Sequence, residues 1–304
     1  MKQIGTYING NYRVSIYDDG TKIRETLDEN ATEFIPEFAE NVDITITRQC
    51  SIGCPFCYDN ASKNGKHGNL KMDFLKHLHP YTEVAINGND LNHPDLLEFL
   101  TSLKEQKVIP NITVQVKQFM DNIDLMNSLI EKQLVYGIGV SWSKNIGNYK
   151  INDIIGTLKQ YKNVVIHTID GLLTKEDIDL LSGNNLKILI LGYKNKGRGE
   201  TLLMSQTFKD NIKANIDFIN DNIESFLNKF KVVSFDNLAL EHLPNVRNVV
   251  GDKWDEFYMG DDGKYTFYID LVNETFAKNS CIKESFPIEG NNIDSMFKII
   301  REKY

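Results

Sequence analysis

Three of the four cysteines of the chain lie within eight residues, between Cys50 and Cys57. Their spacing is C-x3-C-x2-C, and an aromatic residue, Phe56, directly precedes the third cysteine. Soft sulfur ligands suit iron–sulfur centres, and three thiolates on one short loop can hold three irons of a cubane cluster. The fourth iron then keeps an open position, where a substrate or cofactor can bind. The motif therefore predicts an iron–sulfur cluster with one open iron.

The cysteine segment follows Val42–Thr47, in which apolar and polar side chains alternate as they do in a strand. Strand and helix signals alternate from there on. The later strand candidates are Glu83–Asn87, Ile112–Val116, Val135–Ser141, Val164–Thr168 and Leu186–Leu191. Alternating β and α units predict a parallel sheet with right-handed crossovers. Six units suit an α/β fold of the partial (β/α)6 TIM-type barrel kind, whose chemistry lies at the carboxyl ends of the strands.

The two ends of the chain add β-hairpins to this barrel. Asn9-Gly10 is a strong hairpin signal between Gln3–Ile8 and Tyr12–Ile16. This hairpin caps a barrel end, pairs with the last strands, or holds a partner peptide, and the cap is favoured because exposed edges are usually covered. A second hairpin is expected between Phe257–Met259 and Tyr265–Ile269. We thus expect a cap over residues 1–40, a barrel over 41–235, and a hairpin with a helix over 236–304.

Composition excludes several classes of protein. A net charge of −8 does not favour nucleic acid as a partner. No apolar run approaches the roughly 18 residues of a membrane span, and the N-terminus lacks a signal-peptide core. We therefore expect a cytoplasmic protein without a membrane partner. The cysteines do not form a disulfide scaffold, and Cys281 alone cannot hold a second cubane, so one cluster is the limit.

The cysteine motif resembles that of the radical S-adenosylmethionine superfamily, which places C-x3-C-x-aromatic-C after the first strand of a partial barrel. Cys50, Cys54, Phe56 and Cys57 match it residue by residue, and the resemblance covers about residues 40–200. It implies a [4Fe-4S] cluster whose open iron binds the amino and carboxylate groups of S-adenosylmethionine. Reduction then cleaves the sulfonium and yields a 5′-deoxyadenosyl radical that abstracts hydrogen from a substrate. The chain lacks the cysteine-rich extension that carries auxiliary clusters in many peptide-modifying relatives.

The second strand runs into the sequence NGNDLNHPDL, residues 87–96, where members of the superfamily often have GGEPLLHPDL. The shared L-x-H-P-x-L tail aligns Asn87, Gly88 and Asn89 with the GGE that meets the amino group of S-adenosylmethionine. Asn89 lacks the family's carboxylate, although an amide or carbonyl oxygen can accept from an ammonium. Asp90, one residue later, can supply the charge. The resemblance thus implies that this turn contacts the cofactor.

Polar residues also end the later strands. The resemblance places Ser141, at the end of the fourth strand, against the ribose. His167, near the end of the fifth, is a candidate for the adenosine pocket or for proton transfer, or else a core residue. Gly192 opens a glycine-rich loop after the sixth strand and is a further cofactor-binding candidate. The cations of that loop are Lys194, Lys196 and Arg198, which suggest capture of an anion or a flexible solvated loop.

The sequence therefore predicts a radical S-adenosylmethionine enzyme with one [4Fe-4S] cluster. The catalytic and metal-binding residues are Cys50, Cys54 and Cys57, and the cofactor-binding residues are Phe56, Asn87, Gly88, Asn89, Asp90, Ser141, His167 and Gly192. An external one-electron donor of the flavodoxin or ferredoxin type is implied. The substrate is a peptide or protein framed by the terminal hairpins, or a phosphate-bearing small molecule or nucleotide held by the cationic loop.

One alternative belongs to a different class. A non-enzymatic iron–sulfur or zinc-binding protein, used for structure or sensing, needs a fourth protein ligand that closes the metal site. For zinc that ligand is His67 or Asp59, although paired C-x2-C knuckles are the usual zinc form. The enzyme instead requires an open position that S-adenosylmethionine can occupy.

Overall fold

The structure is a computed structural model that describes residues 1–87, 90–258 and 260–304. Of Asp90 it describes the backbone alone. The N-terminal residues form an antiparallel sheet of three strands, β1 (Gln3–Asn9), β2 (Tyr12–Tyr17) and β3 (Lys22–Thr26). The Asn-Gly turn joins the first two strands as predicted. Gly10 has a φ of +60°, and a Cβ there would lie 1.9 Å from the carbonyl oxygen of Ile35, so this turn requires glycine.

A second, larger sheet has ten strands in the order β10-β9-β8-β7-β6-β5-β4-β11-β12-β13. The eight strands from β10 to β11 in this order are parallel, and β12 and β13 extend the sheet antiparallel. The alternating signals thus predicted the parallel order correctly. The strands are β4 (Asn41–Thr45), β5 (Glu83–Asn87), β6 (Ile109–Gln115), β7 (Gly137–Ser141), β8 (Val164–Ile169), β9 (Lys187–Leu191), β10 (Val232–Phe235), β11 (Thr266–Asp270), β12 (Thr275–Ala277) and β13 (Phe286–Pro287).

Helices connect the parallel strands. Thr174 accepts a hydrogen bond from the backbone N–H of Asp177 at 3.2 Å and so caps the helix that begins at Lys175. The apolar stretch Phe208–Phe230 forms two helices that meet at Asn222. The helices are α1 (Leu96–Glu105), α2 (Val116–Asp121), α3 (Ile123–Glu131), α4 (Ile151–Leu158), α5 (Lys175–Leu181), α6 (Arg198–Leu202), α7 (Gln206–Asp221), α8 (Ile223–Leu227), α9 (Asn237–His242), α10 (Asn245–Val250), α11 (Trp254–Phe257) and α12 (Ile293–Lys303), with 3₁₀ turns at Asp73–Lys76, Asp90–Asn92 and Gly251–Lys253.

The two faces of the parallel strands differ sharply in polarity. Residues of the outer face, such as Val42, Ile44, Val84 and Ile86, are fully buried in the main hydrophobic core. From β4 to β7, and at His167 of β8, the inner face carries small and polar side chains: Asn41, Asp43, Thr45, Ala85, Asn87, Asn111, Thr113, Gln115, Gly137, Gly139, Ser141 and His167. On β8 and β9 the same face also carries the apolar residues Val165, Ile169, Leu189 and Leu191. Parallel sheets are ordinarily apolar on both faces because helices cover both.

Most of these inner-face residues stay partly exposed, although their strands lie in the middle of the sheet. Polar, accessible side chains in the middle of a sheet are typical of a face that a ligand covers rather than of a packed core. We call the space in front of this face the chamber. The outer face, by contrast, supplies the apolar area that the helices bury. The asymmetry between the faces therefore marks the side of the sheet on which a ligand can lie.

The small sheet packs where the parallel strands begin. Its core residues Tyr12, Val14 and Ile16 contact Ile109 at the start of β6 and Tyr265 just before β11. A buried ion network strengthens this contact: Glu40, just before β4, accepts hydrogen bonds from the Tyr12 hydroxyl (2.6 Å) and from Nε and Nη2 of Arg24 (both 2.8 Å). These contacts favour the cap among the three roles considered for the N-terminal hairpin, and they leave the carboxyl ends of the strands free.

The C-terminal hairpin forms from other strands than the sequence indicates. Phe257 ends α11, so the pairing of Phe257–Met259 with Tyr265–Ile269 was wrong, and Met259 lies outside the described residues. The strand β11 pairs with β12 instead. Asp270 accepts hydrogen bonds from the backbone N–H groups two and three residues later, both at 3.0 Å, and so fixes a tight turn directly after β11.

Segments from the two ends of the parallel run meet. Asn237, just after β10, donates its side-chain amide to Asp262, just before β11, at 2.7 Å. Asp262 also accepts from Asn279 at 2.6 Å. The sheet is therefore curved, and the segment after β12 lies between its first and last parallel strands. In the part of the chain that the structure describes, no helix is both long and apolar enough to cross a membrane.

Candidate functional site

The cysteine loop, Cys50–Tyr58, begins five residues beyond the end of β4, and the chain then returns beside its own approach. The return segment, Ser62–His67, pairs with the approach through three backbone hydrogen bonds: Cys50 N to Ser62 O (2.8 Å), Ser62 N to Arg48 O (2.9 Å) and Arg48 N to Lys66 O (2.9 Å). A Cβ on Gly65 would lie 1.8 Å from the Arg48 carbonyl oxygen, so the close approach requires glycine there. The loop thus stands on an ordered base at the carboxyl end of the first parallel strand.

The three predicted ligands all lie on this loop. Cys50, Cys54 and Cys57 are free and partly exposed thiols. Burial raises the pKa of Cys54, and the neighbouring Cys50 and Cys57 raise it further. Among the residues that the structure describes, no group of three or more His, Cys, Asp or Glu side chains is placed to hold a metal ion.

The chemistry of these thiols fits an iron–sulfur cluster better than zinc. Each thiolate of a cubane binds its own iron, and thiolates are the usual protein ligands of such clusters. The two candidates for a fourth zinc ligand have other partners. His67 Nδ1 lies 2.8 Å from the Thr47 hydroxyl, and Asp59 pairs with Arg48 at 3.2 Å. The three cysteines are therefore the candidate donors of this loop, and His67 keeps only its Nε2 for a metal.

The glycine-rich loop after β9 docks on the backbone of the cysteine loop. Arg198 donates from Nε to the Cys54 carbonyl (2.9 Å), from Nη1 to the Ala61 carbonyl (2.8 Å) and from its backbone N–H to the Cys57 carbonyl (3.0 Å). Gly197, with a φ of +59°, makes room for this contact: a Cβ there would lie 2.4 Å from the Tyr58 carbonyl oxygen. A single arginine therefore holds three backbone carbonyl groups, two in the cysteine loop and one just after it.

The other two cations of this loop are also engaged. Lys194 Nζ donates to the Ser280 hydroxyl at 2.7 Å and lies 4.1 Å from the centre of the Tyr58 ring. Lys196 Nζ donates to the Ser280 carbonyl at 2.8 Å. The loop thus joins the cysteine loop to the segment after β12. The sequence suggested either that the cations of this loop capture an anion or that the loop is flexible and solvated. These contacts support neither interpretation.

A second arginine joins the cysteine loop to β11. Arg48 donates from Nη1 and Nη2 to the two carboxylate oxygens of Asp270, at 3.0 and 2.6 Å, and from Nη2 to Asp59 at 3.2 Å. Such bidentate pairs combine charge with a fixed geometry. The cysteine loop is therefore clamped from both sides, by Arg198 from the β9 side and by Arg48 from the β11 side. Sequence reasoning missed both clamps, because isolated arginines carry no signal of their partners.

The residues predicted to bind the cofactor fall into three groups. Asn87 and Ser141 lie on the inner face at the ends of β5 and β7, and Phe56 is a partly exposed residue of the cysteine loop. Gly192 is buried instead against Leu238 of α9 and donates its N–H to Asp236 at 2.9 Å. Gly88, Asn89 and the side chain of Asp90 lie outside the described residues, so their predicted contacts stay predictions.

His167 lies on the inner face, opposite Ser141 in the β7–β8 register. Its ring covers Gly139 so closely that a Cβ there would lie 2.1 Å from the imidazole. Burial lowers the pKa of His167 to about 4, so the imidazole is neutral at physiological pH. A neutral imidazole can donate from one nitrogen and accept at the other without bringing a charge into the chamber.

Sequence reasoning missed Asp43, which lies on the inner face of β4. Burial raises the pKa of Asp43 to about 6, and Lys194 opposes part of that rise. The chain pairs it with Ala85 and Tyr268 on the neighbouring strands, so no cation lies directly across from it. The sequence did contain a signal for Asp43, because it is a carboxylate at an inward-facing position of a predicted buried strand. At neutral pH Asp43 is an enclosed anion, which is costly unless a ligand or protein cation compensates it.

Neither a scan against protein-family models nor a search of curated proteins finds a match to this chain. The functional assignment therefore depends on the residues of the site. From the contacts of these residues we make two predictions about the folded chain itself.

The first prediction concerns the docking of Gly197 on the cysteine loop. Gly197 and Gly251 have nearly the same backbone conformation (φ +59° for both, ψ −136° and −132°), but a Cβ on Gly251 meets nothing within 4 Å. Alanine at either position brings the same backbone strain, of order 1–3 kcal/mol. Only Gly197→Ala pushes on the cysteine loop. We expect amide hydrogen exchange at residues 54–61 to accelerate about tenfold in Gly197→Ala, equivalent to roughly 1.4 kcal/mol. Equal exchange in both variants contradicts the docking.

The second prediction concerns the enclosed carboxylate. Because the folded-state pKa of Asp43 is raised to about 6, the folded protein binds a proton that the unfolded chain releases near pH 4. Wild-type stability therefore falls as pH rises from about 4 to 6, and Asp43→Asn escapes this loss. The variant should be about 2–3 kcal/mol more stable at pH 7.5 and no more stable at pH 4, measured by urea unfolding. The control variant Asp221→Asn, at an exposed residue, should change the free energy of unfolding by only a few tenths of a kcal/mol. An Asp43→Asn protein that is less stable at pH 7.5 overturns this account.

Proposed function

We propose that the chain is a radical S-adenosylmethionine enzyme with one [4Fe-4S] cluster on Cys50, Cys54 and Cys57. The observation that carries the proposal is the position of three free thiols at the carboxyl end of the first strand of a parallel run, beside a polar inner face. Ligands of α/β sheets and barrels bind at that end of the strands. The meeting of the segments after β10 and before β11 supports a partial barrel as the finer description of the fold.

The cluster and S-adenosylmethionine, when bound, supply a 5′-deoxyadenosyl radical for hydrogen abstraction. The protein's own part is to hold the thiols and to enclose the reaction. Arg198 fixes the carbonyl groups of Cys54 and Cys57, so the ligand backbone is set before any cluster binds. Preorganised ligands of this kind need little rearrangement on binding. The small N-terminal sheet packs against the opposite end of the strands.

Within this proposal the cofactor lies along the inner face of β5, β7 and β8. Asn87 and Ser141 offer an amide and a hydroxyl there, and His167 offers a neutral imidazole. These groups can make hydrogen bonds to an amino acid moiety and a ribose. Asn89 and Asp90 remain the residues proposed for the cofactor's ammonium group.

The substrate proposed here is a peptide or another amine-bearing molecule rather than a phosphate ester. The three cations of the loop after β9 already contact Ser280, Tyr58 and backbone carbonyls. Asp43 and, close to it, Asp236 and Asp262 outnumber the one cation that acts on Asp43, Lys194. A phosphate would have to displace internal hydrogen bonds and approach carboxylates, whereas an ammonium group would compensate Asp43.

The proposal is tested by anaerobic reconstitution with iron and sulfide, followed by S-adenosylmethionine and dithionite. We expect 5′-deoxyadenosine on chromatography from the wild type and from Cys281→Ala, because Cys281 is not a cluster ligand. Cys54→Ala should lose the product by more than the roughly 10–100-fold that outer contacts of a metal site are worth. The function is refuted if Cys54→Ala and the wild type give the same amount of product, or if the wild type retains zinc and no iron.

A further inference from the structure

A buried carboxylate–imidazole pair adjoins the glycine-rich loop after β9. Asp170, directly after β8, is completely buried, and its Oδ2 lies 2.6 Å from Nδ1 of His242, the last residue of α9. We propose that His242 is a positioning residue for the cysteine loop, which it holds in place through Asp170 and the glycine-rich loop, residues 192–199. The purpose of this positioning rests on the proposed function, because a cluster needs its three thiols in one fixed arrangement.

The pair acts first on the start of the glycine-rich loop. The Oδ1 of Asp170 accepts a hydrogen bond from the backbone N–H of Tyr193 at 2.9 Å. The preceding N–H group, of Gly192, donates to Asp236 at 2.9 Å, and Asp236 also caps the beginning of α9. Two successive N–H groups of the loop are thus held by two carboxylates, one at the start of α9 and one bound by its last residue, His242. The helix therefore fixes the start of the loop from both of its ends.

Tyr193 carries this constraint to the far end of the loop. Tyr193 is buried, and its hydroxyl donates to the carbonyl of Gly199 at 2.9 Å. The backbone and the side chain of one residue therefore hold the loop at its beginning and at its end. Between these points lie Gly197 and Arg198, which contact the backbone of the cysteine loop. A displacement of Tyr193 would therefore move the contacts that hold the thiols.

His242 is the group that compensates the charge of Asp170. Among the residues that the structure describes, no lysine or arginine nitrogen lies within 4.0 Å of the Asp170 carboxylate. A buried carboxylate without a partner of opposite charge is costly, and removing one partner of a buried pair leaves that cost in place. The loss of His242 should therefore displace Asp170 and, with it, the N–H of Tyr193.

The pair also makes the positioning dependent on pH. The hydrogen bond to Asp170 raises the pKa of His242 above its ordinary value, burial opposes the rise, and the charges of Asp170, Asp236 and Glu241 add to it. Because the folded-state pKa is raised, the stabilisation is complete below the unfolded-state pKa and is lost as pH rises through the folded-state pKa. The start of the glycine-rich loop is therefore held most firmly while the imidazole is protonated.

The test compares three variants of the apoprotein by amide hydrogen exchange. His242→Ala removes the donor, and His242→Asn keeps one, because the amide nitrogen of asparagine can take the place of Nδ1. His79→Ala is the matched control, since His79 precedes β5 and lies 2.8 Å from Asp294 of α12. Exchange is expressed as protection factors, which remove the intrinsic effect of pH on the exchange rate.

We expect protection at residues 54–61 to fall about tenfold in His242→Ala, as for the loss of a hydrogen bond to a charged group, and to recover in His242→Asn. His79→Ala should match the wild type at these residues. Equal losses in the two alanine variants, a loss confined to α9, or no recovery with asparagine overturns the positioning role.

The pH profile separates positioning by the charged pair from simple packing. Between about pH 6 and pH 9, protection at residues 54–61 should fall about threefold more in the wild type than in His242→Asn, because only the wild type loses an imidazolium. The two proteins share every other titrating group, so the difference between their profiles belongs to His242. Parallel profiles contradict the role of its charge.

A further variant tests the same path if His242→Ala does not fold. Tyr193→Phe keeps the carboxylate–imidazole pair and removes only the hydroxyl that contacts Gly199. Protection at residues 54–61 should fall about fivefold, as for the loss of one neutral hydrogen bond. Unchanged protection would show that the loop does not transmit the constraint.

The consequence for the cluster is measured as iron release after anaerobic reconstitution. Transfer of iron to a chelator should be about tenfold faster from His242→Ala than from His79→Ala, and His242→Asn should restore the wild-type rate. Equal rates in the two alanine variants contradict this consequence. Failure of the proposed function is read separately, as the absence of iron or of 5′-deoxyadenosine in the wild type, and exchange in the apoprotein decides the positioning role in either case.

Discussion

The contact between Arg198 and the backbone of the cysteine loop is the interaction on which the rest of the site depends. A loop that presents three thiols has few side chains left with which to hold itself, and its carbonyl groups must find donors elsewhere. Arg198 supplies them for Cys54, Cys57 and Ala61. Because a guanidinium is planar and always charged, it fixes several carbonyls at once. This contact couples the loops that follow the first and sixth strands of the parallel run in chain order, so the cysteine loop depends on the assembly of the parallel strands.

The polar inner face of the sheet lowers the stability of the fold. Apolar residues on both faces would give the sheet more hydrophobic stabilisation, yet the inner face carries asparagine, threonine, serine and an enclosed aspartate. Burial of Asp43 works against folding at neutral pH. The outer core and the capped N-terminal end, with its Glu40–Arg24 pair, offset this loss. Stability is thus concentrated at one end of the strands, and the candidate site lies at the other, which is the usual place for ligands in α/β folds.

Local patterns in the sequence predicted most of the strands and the position of the thiols. The alternation in Val42–Thr47 and the apolar run of the sixth strand are short-range signals, and so is the Asn-Gly turn. What the sequence could not supply were contacts between distant residues: Arg48 with Asp270, Arg198 with Cys54, and the pairing of β11 with β12. The late hairpin failed for the same reason, because the turn at Asp270 prevailed over the glycines that precede β11. For the cationic loop the sequence suggested capture of an anion or a flexible solvated loop, whereas its partners lie within the protein.

The central claim is an open iron that S-adenosylmethionine can occupy, and the most direct measurement is electron paramagnetic resonance of the reduced, reconstituted protein. We expect about four irons per chain and a [4Fe-4S]⁺ signal whose g values change when S-adenosylmethionine is added, because the cofactor becomes a ligand of the fourth iron. A Cys281→Ala protein should show the same change. A cluster whose signal is indifferent to S-adenosylmethionine would mean that the metal site is closed, and the account of this chain as a radical enzyme would be wrong.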